Sequence, residues 1–141
     1  MNFDQAFDRL IGNEGGYTPG EGDPGGETNW GISKRSYPDV DIANLTREGA
    51  KAIYLRDFWQ RGQMDQYDPA IAFQVFDMAV NSGIETAVRI LQRAAGVAED
   101  GHIGPITVAA IKAKSVTDML MLFIAYRIKY WTRLSNWPHG W

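Results

Sequence analysis

Between Gly15 and Trp30 the chain carries six glycines and two prolines, and no other stretch restricts its fold as strongly. Glycine loses the most backbone freedom on ordering and proline removes a backbone donor, so this segment cannot hold a helix. It suits a compact, turn-rich loop or a short hairpin. Upstream, Phe3, Ala6, Phe7, Leu10 and Ile11 recur at the spacing of one helical face, which predicts an amphipathic helix over residues 3–13 ended by Gly15-Gly16. Glu14 stands at that break.

The remainder reads as helix. Thr46 is placed to cap a helix running to about Gln60, with Ala50, Ile53, Tyr54 and Phe58 on its inner face and Trp59 in the core or at a groove edge. Asp68-Pro69 is a start signal, and the AIAFQVFDMAVN that follows is apolar on nearly all sides, as befits a central helix. Ile84 to Ala95 forms another, closed by Gly96, and Gly104-Pro105 opens a short one through Ile111. Ser115 and Asp118 have capping-box spacing for a last helix whose Val116, Leu120, Phe123, Ile124, Ile128, Trp131 and Leu134 are expected to face the core, as is the Met119 to Phe123 run. The fold class is therefore mainly α, about six helices with a glycine-rich loop or small hairpin. With 141 residues and 45% hydrophobic content, one domain of two lobes fits better than two domains.

Composition excludes several functions. A net charge of -3 lacks the basic excess that neutralises phosphates, so no nucleic acid is expected as a partner. There is no cysteine, and His102 and His139 have no partner at metal-ligand spacing, so neither metal nor cofactor is predicted. Gly20 to Gly26 lacks the lysine and hydroxyl of a phosphate loop, and no Gly-x-Ser-x-Gly elbow occurs. Met1 to Leu10 does not resemble a signal peptide, and the longest apolar stretch, Met119 to Tyr126, is eight residues. Synthesis in the cytoplasm, a monomer and no stable membrane insertion are the expectations.

The acids are concentrated at the front: residues 1–41 hold eight, against three bases. Glu14, at a helix end, faces terminal carbonyls that favour its protonated form. Asp23, in the polar loop, can be stabilised as a carboxylate by amides and water, with the Thr28 hydroxyl nearby in sequence. Two carboxyls in unlike settings suit glycosidic cleavage, in which one donates a proton and the other stays charged. Each has a plainer reading alone: Glu14 as a solvated helix end, Asp23-Pro24-Gly25 as turn chemistry. Tyr17 and Trp30, flanking the loop, can stack on N-acetyl sugars or pin the loop to the core. Asn81, four residues after Asp77, can contact an acetamido group or satisfy a backbone group.

Jointly, Glu14, Asp23 and Thr28 resemble the Glu, Asp and Thr set of phage-type lysozymes, with the gap to Thr28 one residue shorter. A closer resemblance is to glycoside hydrolase family 108, whose Glu-Gly-Gly-Tyr hallmark stands here as Glu14-Gly15-Gly16-Tyr17. Asp23-Pro24-Gly25-Gly26-Glu27-Thr28-Asn29-Trp30-Gly31-Ile32-Ser33 looks like that family's second block, and Phe76-Asp77 with Asn81-Ser82-Gly83 like its central helix. The resemblance implies a lysozyme-like fold and an essential Glu14, with Asp23 and Thr28 carried over from the phage enzymes. Residues 91–111, LQRAAGVAEDGHIGPITVAAI, resemble a predicted peptidoglycan-binding motif, although the same glycines and proline also describe a plain helix corner. The expected division is a catalytic part over residues 1–90 and a peptidoglycan-binding part over residues 91–141 of the same domain.

On this resemblance the chain is a muramidase with peptidoglycan glycan strands as its partner. It would act on the cell wall from the periplasm or outer face, after release by a holin or secretion machinery. Two other readings stand beside it: a non-catalytic wall-binding module, and a helical interaction protein of the kind labelled a secretion activator. The family pattern continues past Trp141, which implies a shortened carboxyl end.

Overall fold

The computed structural model describes residues 1–12, 16–20, 22 and 26–134, the side chains of Gly12 and Leu134 excepted. Two compact units divide the chain, Met1–Asp57 and Phe58–Trp141. Among the described residues there are six α-helices and one two-stranded sheet, the mainly α architecture expected.

In the first unit, α1 (Phe3–Phe7) begins at a capping box: the Gln5 amide donates to the Asn2 side chain at 3.0 Å, and the Gln5 side chain accepts from the Asn2 amide at 3.0 Å. The helix runs on as a π-helical turn over Asp8–Gly12. Phe3, Ala6, Phe7 and Ile11 are buried as predicted, whereas Leu10 is half-exposed. The wider π turn moves the inner face off the α-helical spacing. Helix α2 (Arg47–Tyr54) is capped by Thr46, whose hydroxyl accepts from the Gly49 amide at 3.0 Å. Its Tyr54 ring meets Phe7 at 5.9 Å, and the Arg47 guanidinium lies 5.1 Å from the Phe7 ring centre while pairing with Asp8. A second π-helical segment, Leu55–Gln60, continues the chain, and Trp59 is buried at 2% exposure while Phe58 is only half-buried. Phe58, expected on the inner face, is thus only partly inward, while Trp59 takes the first of its two expected places, the core.

The second unit is built on α3 (Pro69–Ser82), where Asp68 accepts from the Ala70 amide at 2.8 Å and Pro69 sits at the first position. No residue from Ile71 to Val80 is fully exposed, as its apolar sequence requires. Trp59 meets Phe76 edge-on at 5.5 Å. Helix α4 (Ile84–Ala95) ends at Gly96 with φ 79°, a left-handed cap that glycine adopts without strain. Its fully buried Gln92 organises the following turn. The amide nitrogen donates to Asp100 at 2.8 Å and to the His102 carbonyl at 3.0 Å, and the side-chain oxygen accepts from the Gly101 amide at 3.0 Å. Hydrogen bonds from the His102 amide and Gln92 hold the Asp100 carboxyl below its usual pKa. Gly104-Pro105 then opens α5 (Pro105–Ala113).

Helix α6 (Val116–Leu134) departs from its expected facing. The Ser115 hydroxyl accepts from the Asp118 amide at 3.1 Å, but the inner residues are Met119, Phe123 and Arg127, at 0%, 0% and 7% exposure. Val116, Met121, Ile124, Ile128 and Trp131 are exposed and Leu120 is half-buried; Leu134 lies outside the described side chains. The cause is Arg127. It turns inward because α3 offers it Asp77, the Gln74 carbonyl at 3.2 Å and the Gln74 side-chain oxygen at 3.0 Å. The Trp131 ring covers it at 4.4 Å, and that indole donates to the Ser82 hydroxyl at 3.0 Å.

Removing one partner from so enclosed a pair strands the other charge. Asp77→Ala is expected to cost about 2 kcal/mol in urea unfolding, with part of the loss recovered when Arg127→Met is added. Unchanged stability in the single variant would show that the pair does not hold α6 to α3.

Candidate active site

Glu14 and Asp23, the two candidate acids, lie outside the described residues; the framework beside them does not. Thr18 and Thr28 form an antiparallel bridge, with N···O distances of 2.8 and 2.9 Å. Thr28–Asn29 (β1) then pairs with Ile32–Ser33 (β2) in the register Thr28 to Ser33 and Asn29 to Ile32. Between them Trp30 and Gly31 have φ of 55° and 76°, the two positive values that a two-residue turn matching strand twist demands. Glycine supplies the second without strain. A Cβ at Gly31 would also lie 2.5 Å from the Tyr54 hydroxyl.

The unusual φ of Trp30 is held from three sides. Its indole donates to the Leu45 carbonyl at 3.1 Å, its own carbonyl accepts from the Tyr54 hydroxyl at 3.0 Å, and Asn29 donates to the carbonyls of Ile42 and Leu45 at 3.0 and 3.3 Å. Asn29 is buried, and the Tyr54 hydroxyl is pushed well above its ordinary pKa by burial. The hairpin is thereby pinned to the chain just ahead of α2.

Gly20 makes the second close approach. Its φ is 84°, and a Cβ there would stand 2.2 Å from the Gly26 carbonyl carbon and 2.3 Å from the Glu27 nitrogen. Only glycine lets the two backbones pass. Tyr17 and Glu27, the residues before the bridged threonines, meet through a hydrogen bond of 2.5 Å from the phenol to the carboxylate. By accepting that hydrogen bond, Glu27 raises the Tyr17 pKa. The Lys34 ammonium donates to the Val40 carbonyl at 2.9 Å.

The structure therefore gathers Tyr17, Thr28 and Trp30 on one framework. Tyr17 is 46% exposed, Thr28 is half-buried with its backbone in the bridge, and Trp30 has its indole N–H engaged. Asn81 belongs to the second unit, on α3, exposed, where its amide donates to the Asp77 carbonyl at 2.8 Å. Glu27 escaped the reading of the residues; its signal was its place beside the strand that faces Thr18, visible only once that pairing is known. Among the described residues no group of three or more His, Asp or Glu side chains is arranged to hold a metal, and no helix is long and apolar enough to cross a membrane.

Comparison with known proteins places this geometry in context. The Glycosyl hydrolase 108 family model matches residues 7–83, and that of a Predicted Peptidoglycan domain matches residues 86–139. Among solved structures the chain is similar to Brucella abortus SagA, with a TM-score of 0.84 and 28% identity over 95% of this chain and 82% of that one. No curated protein matches the sequence.

Two outcomes follow from the loop geometry. Gly20→Ala should lower unfolding stability by about 2 kcal/mol or more, whereas Gly22→Ala, at φ 77° with nothing among the described residues within 4 Å of a Cβ, should show only the conformational cost of about 1 kcal/mol. Equal losses would mean that the backbone approach is unimportant. Glu27→Gln should bring the Tyr17 phenol down toward the ordinary range, read from its ring resonances in an NMR titration; an unmoved titration would deny the carboxylate its part.

Proposed function

This chain belongs to glycoside hydrolase family 108, a glycosidase directed at the peptidoglycan of the cell wall, and from that premise we propose that it is a muramidase. It hydrolyses the β-1,4 bond between N-acetylmuramic acid and N-acetylglucosamine. The observation that carries this reading is the family match over residues 7–83, which spans Glu14, Asp23 and the glycine-dictated hairpin in one stretch.

In the proposed mechanism Glu14 gives its proton to the glycosidic oxygen as the bond to the sugar lengthens. Asp23 remains charged and, with the Thr28 hydroxyl, orients water or stabilises the developing oxocarbenium ion. Tyr17 and Trp30 offer ring faces to the N-acetyl sugars. Residues 1–90 carry the chemistry, and residues 91–141 bind peptidoglycan. The hairpin supports this assignment because donors from Asn29, Trp30 and Tyr54 fix the strand that bears Thr28, so little reorganisation is left to the reaction.

Glu14→Gln keeps the shape of the side chain and removes the transferable proton. Release of new reducing ends from purified peptidoglycan is expected to fall by about a thousandfold, with circular dichroism unchanged and mass spectrometry of the wild-type products showing N-acetylmuramic acid at the reducing end. Undiminished release by the variant would overturn the assignment, and no release by the wild type would leave a wall-binding module instead.

A further inference from the structure

A cavity of about 330 Å³ lies within the second unit, where the chain ahead of α3 meets the end of α5 and the start of α6. Its floor is apolar and buried, formed by Tyr67, Ile71 and Ile111. Tyr67 contributes its ring, since its hydroxyl donates to the Gly62 carbonyl at 3.0 Å. The rim is charged with both signs. Asp65 and Asp68 stand on one stretch of chain, and Lys112 and Lys114 on another.

These four charges do not neutralise one another: none of the ion pairs among the described residues includes any of them. The carboxylates are instead oriented by neutral donors. Asp65 accepts from the Trp59 indole at 2.9 Å, and Asp68 accepts from the Ala70 amide at 2.8 Å. Both are held in place by these bonds. Lys112 lies in the last turn of α5, where a cation suits the terminal carbonyls, and Lys114 follows in extended conformation at its C-cap.

We propose that this cavity is a second peptidoglycan site, one that takes a stem peptide rather than the glycan: its ammonium end toward Asp65 and Asp68, its carboxylates toward Lys112 and Lys114, and its aliphatic carbons on the Ile71 and Ile111 floor. A stem peptide with an uncrosslinked diamino acid is a short zwitterion of that kind. Separated positive and negative rims above an apolar floor recognise such a chain better than a neutral sugar, and a volume of this size belongs to small-ligand sites. The proposal rests on the muramidase reading only in taking peptidoglycan as the ligand. Its consequence is that the enzyme grips the substituent of the strand as well as the strand.

The probe is the free stem tetrapeptide with diaminopimelate at its third position, titrated into the full chain by calorimetry and by amide NMR. Saturable binding is expected, weakening with added salt, with the largest shifts at Tyr67, Ile71, Ile111 and Lys114. Lys112→Gln with Lys114→Gln should weaken it about tenfold, while Lys129→Gln, which removes a cation elsewhere on α6, should not. Absence of saturable binding, shifts centred away from these residues, or equal affinity in the double variant would each overturn the proposal. A parallel assay with wild-type protein measures reducing ends released from glycan strands stripped of their peptides. Release without peptide binding sinks the cavity site alone, and peptide binding without release sinks the muramidase reading alone.

Discussion

The amino-terminal unit depends on a place where one backbone must pass another with no room for a methyl group. Gly20 approaches the Gly26–Glu27 peptide so closely that a Cβ would overlap its carbonyl carbon. That contact, with the Thr18 to Thr28 bridge beside it, sets where the strand carrying Thr28 begins. The positive φ angles of Trp30 and Gly31 then turn the chain. Positive φ at a tryptophan costs free energy, on the order of 1–2 kcal/mol, and persists because its indole and carbonyl are both held by hydrogen bonds. The conformation of the Thr28–Ser33 hairpin is thus held by packing and hydrogen bonds, although its turn is permitted by Gly31.

A different constraint governs the second unit. Arg127 is a charged residue in the middle of a helix, and its burial fixes which face of α6 turns inward. Its Nε has no acceptor among the described residues, so the arrangement is specific without being fully satisfied. The residues that hold it are informative. Asp77 and Ser82 belong to the block that looks like the family's central helix, and here one grips Arg127 while the other receives the Trp131 indole. A block that carries the family likeness therefore has a mechanical duty, tying a helix of the family match to a helix of the peptidoglycan domain match.

Helix starts and the end of α4 were legible because each is a local interaction over a few residues. Thr46, Asp68, Ser115 and Gly96 do what their chemistry requires. Inner faces were legible only where the helix stayed α. The π-helical turns at Asp8–Gly12 and Leu55–Gln60 each shift the register of burial, so Leu10 and Phe58 lose their full place on the inner face. Nothing local announces such a turn, since its cost is met by the packing it permits. On α6 the periodic apolar residues misled for a related reason, because a charge with partners on a neighbouring helix outcompeted isoleucines for the inner position.

What the sequence determined by itself is the set of features with a range of a few residues: the helical class, the helix boundaries, the need for a turn-rich segment, and the motif that carries the family likeness. Glycine and proline act through their own backbones, and caps act through the next turn. The tertiary structure decided the rest: that Trp30 is bonded to Leu45, that Tyr17 meets Glu27, that Arg127 points inward, and that unpaired charges of both signs rim one cavity. Each of these depends on a partner ten to fifty-three residues away, and pairing at that distance is chosen by how whole elements pack, which no short window of residues contains.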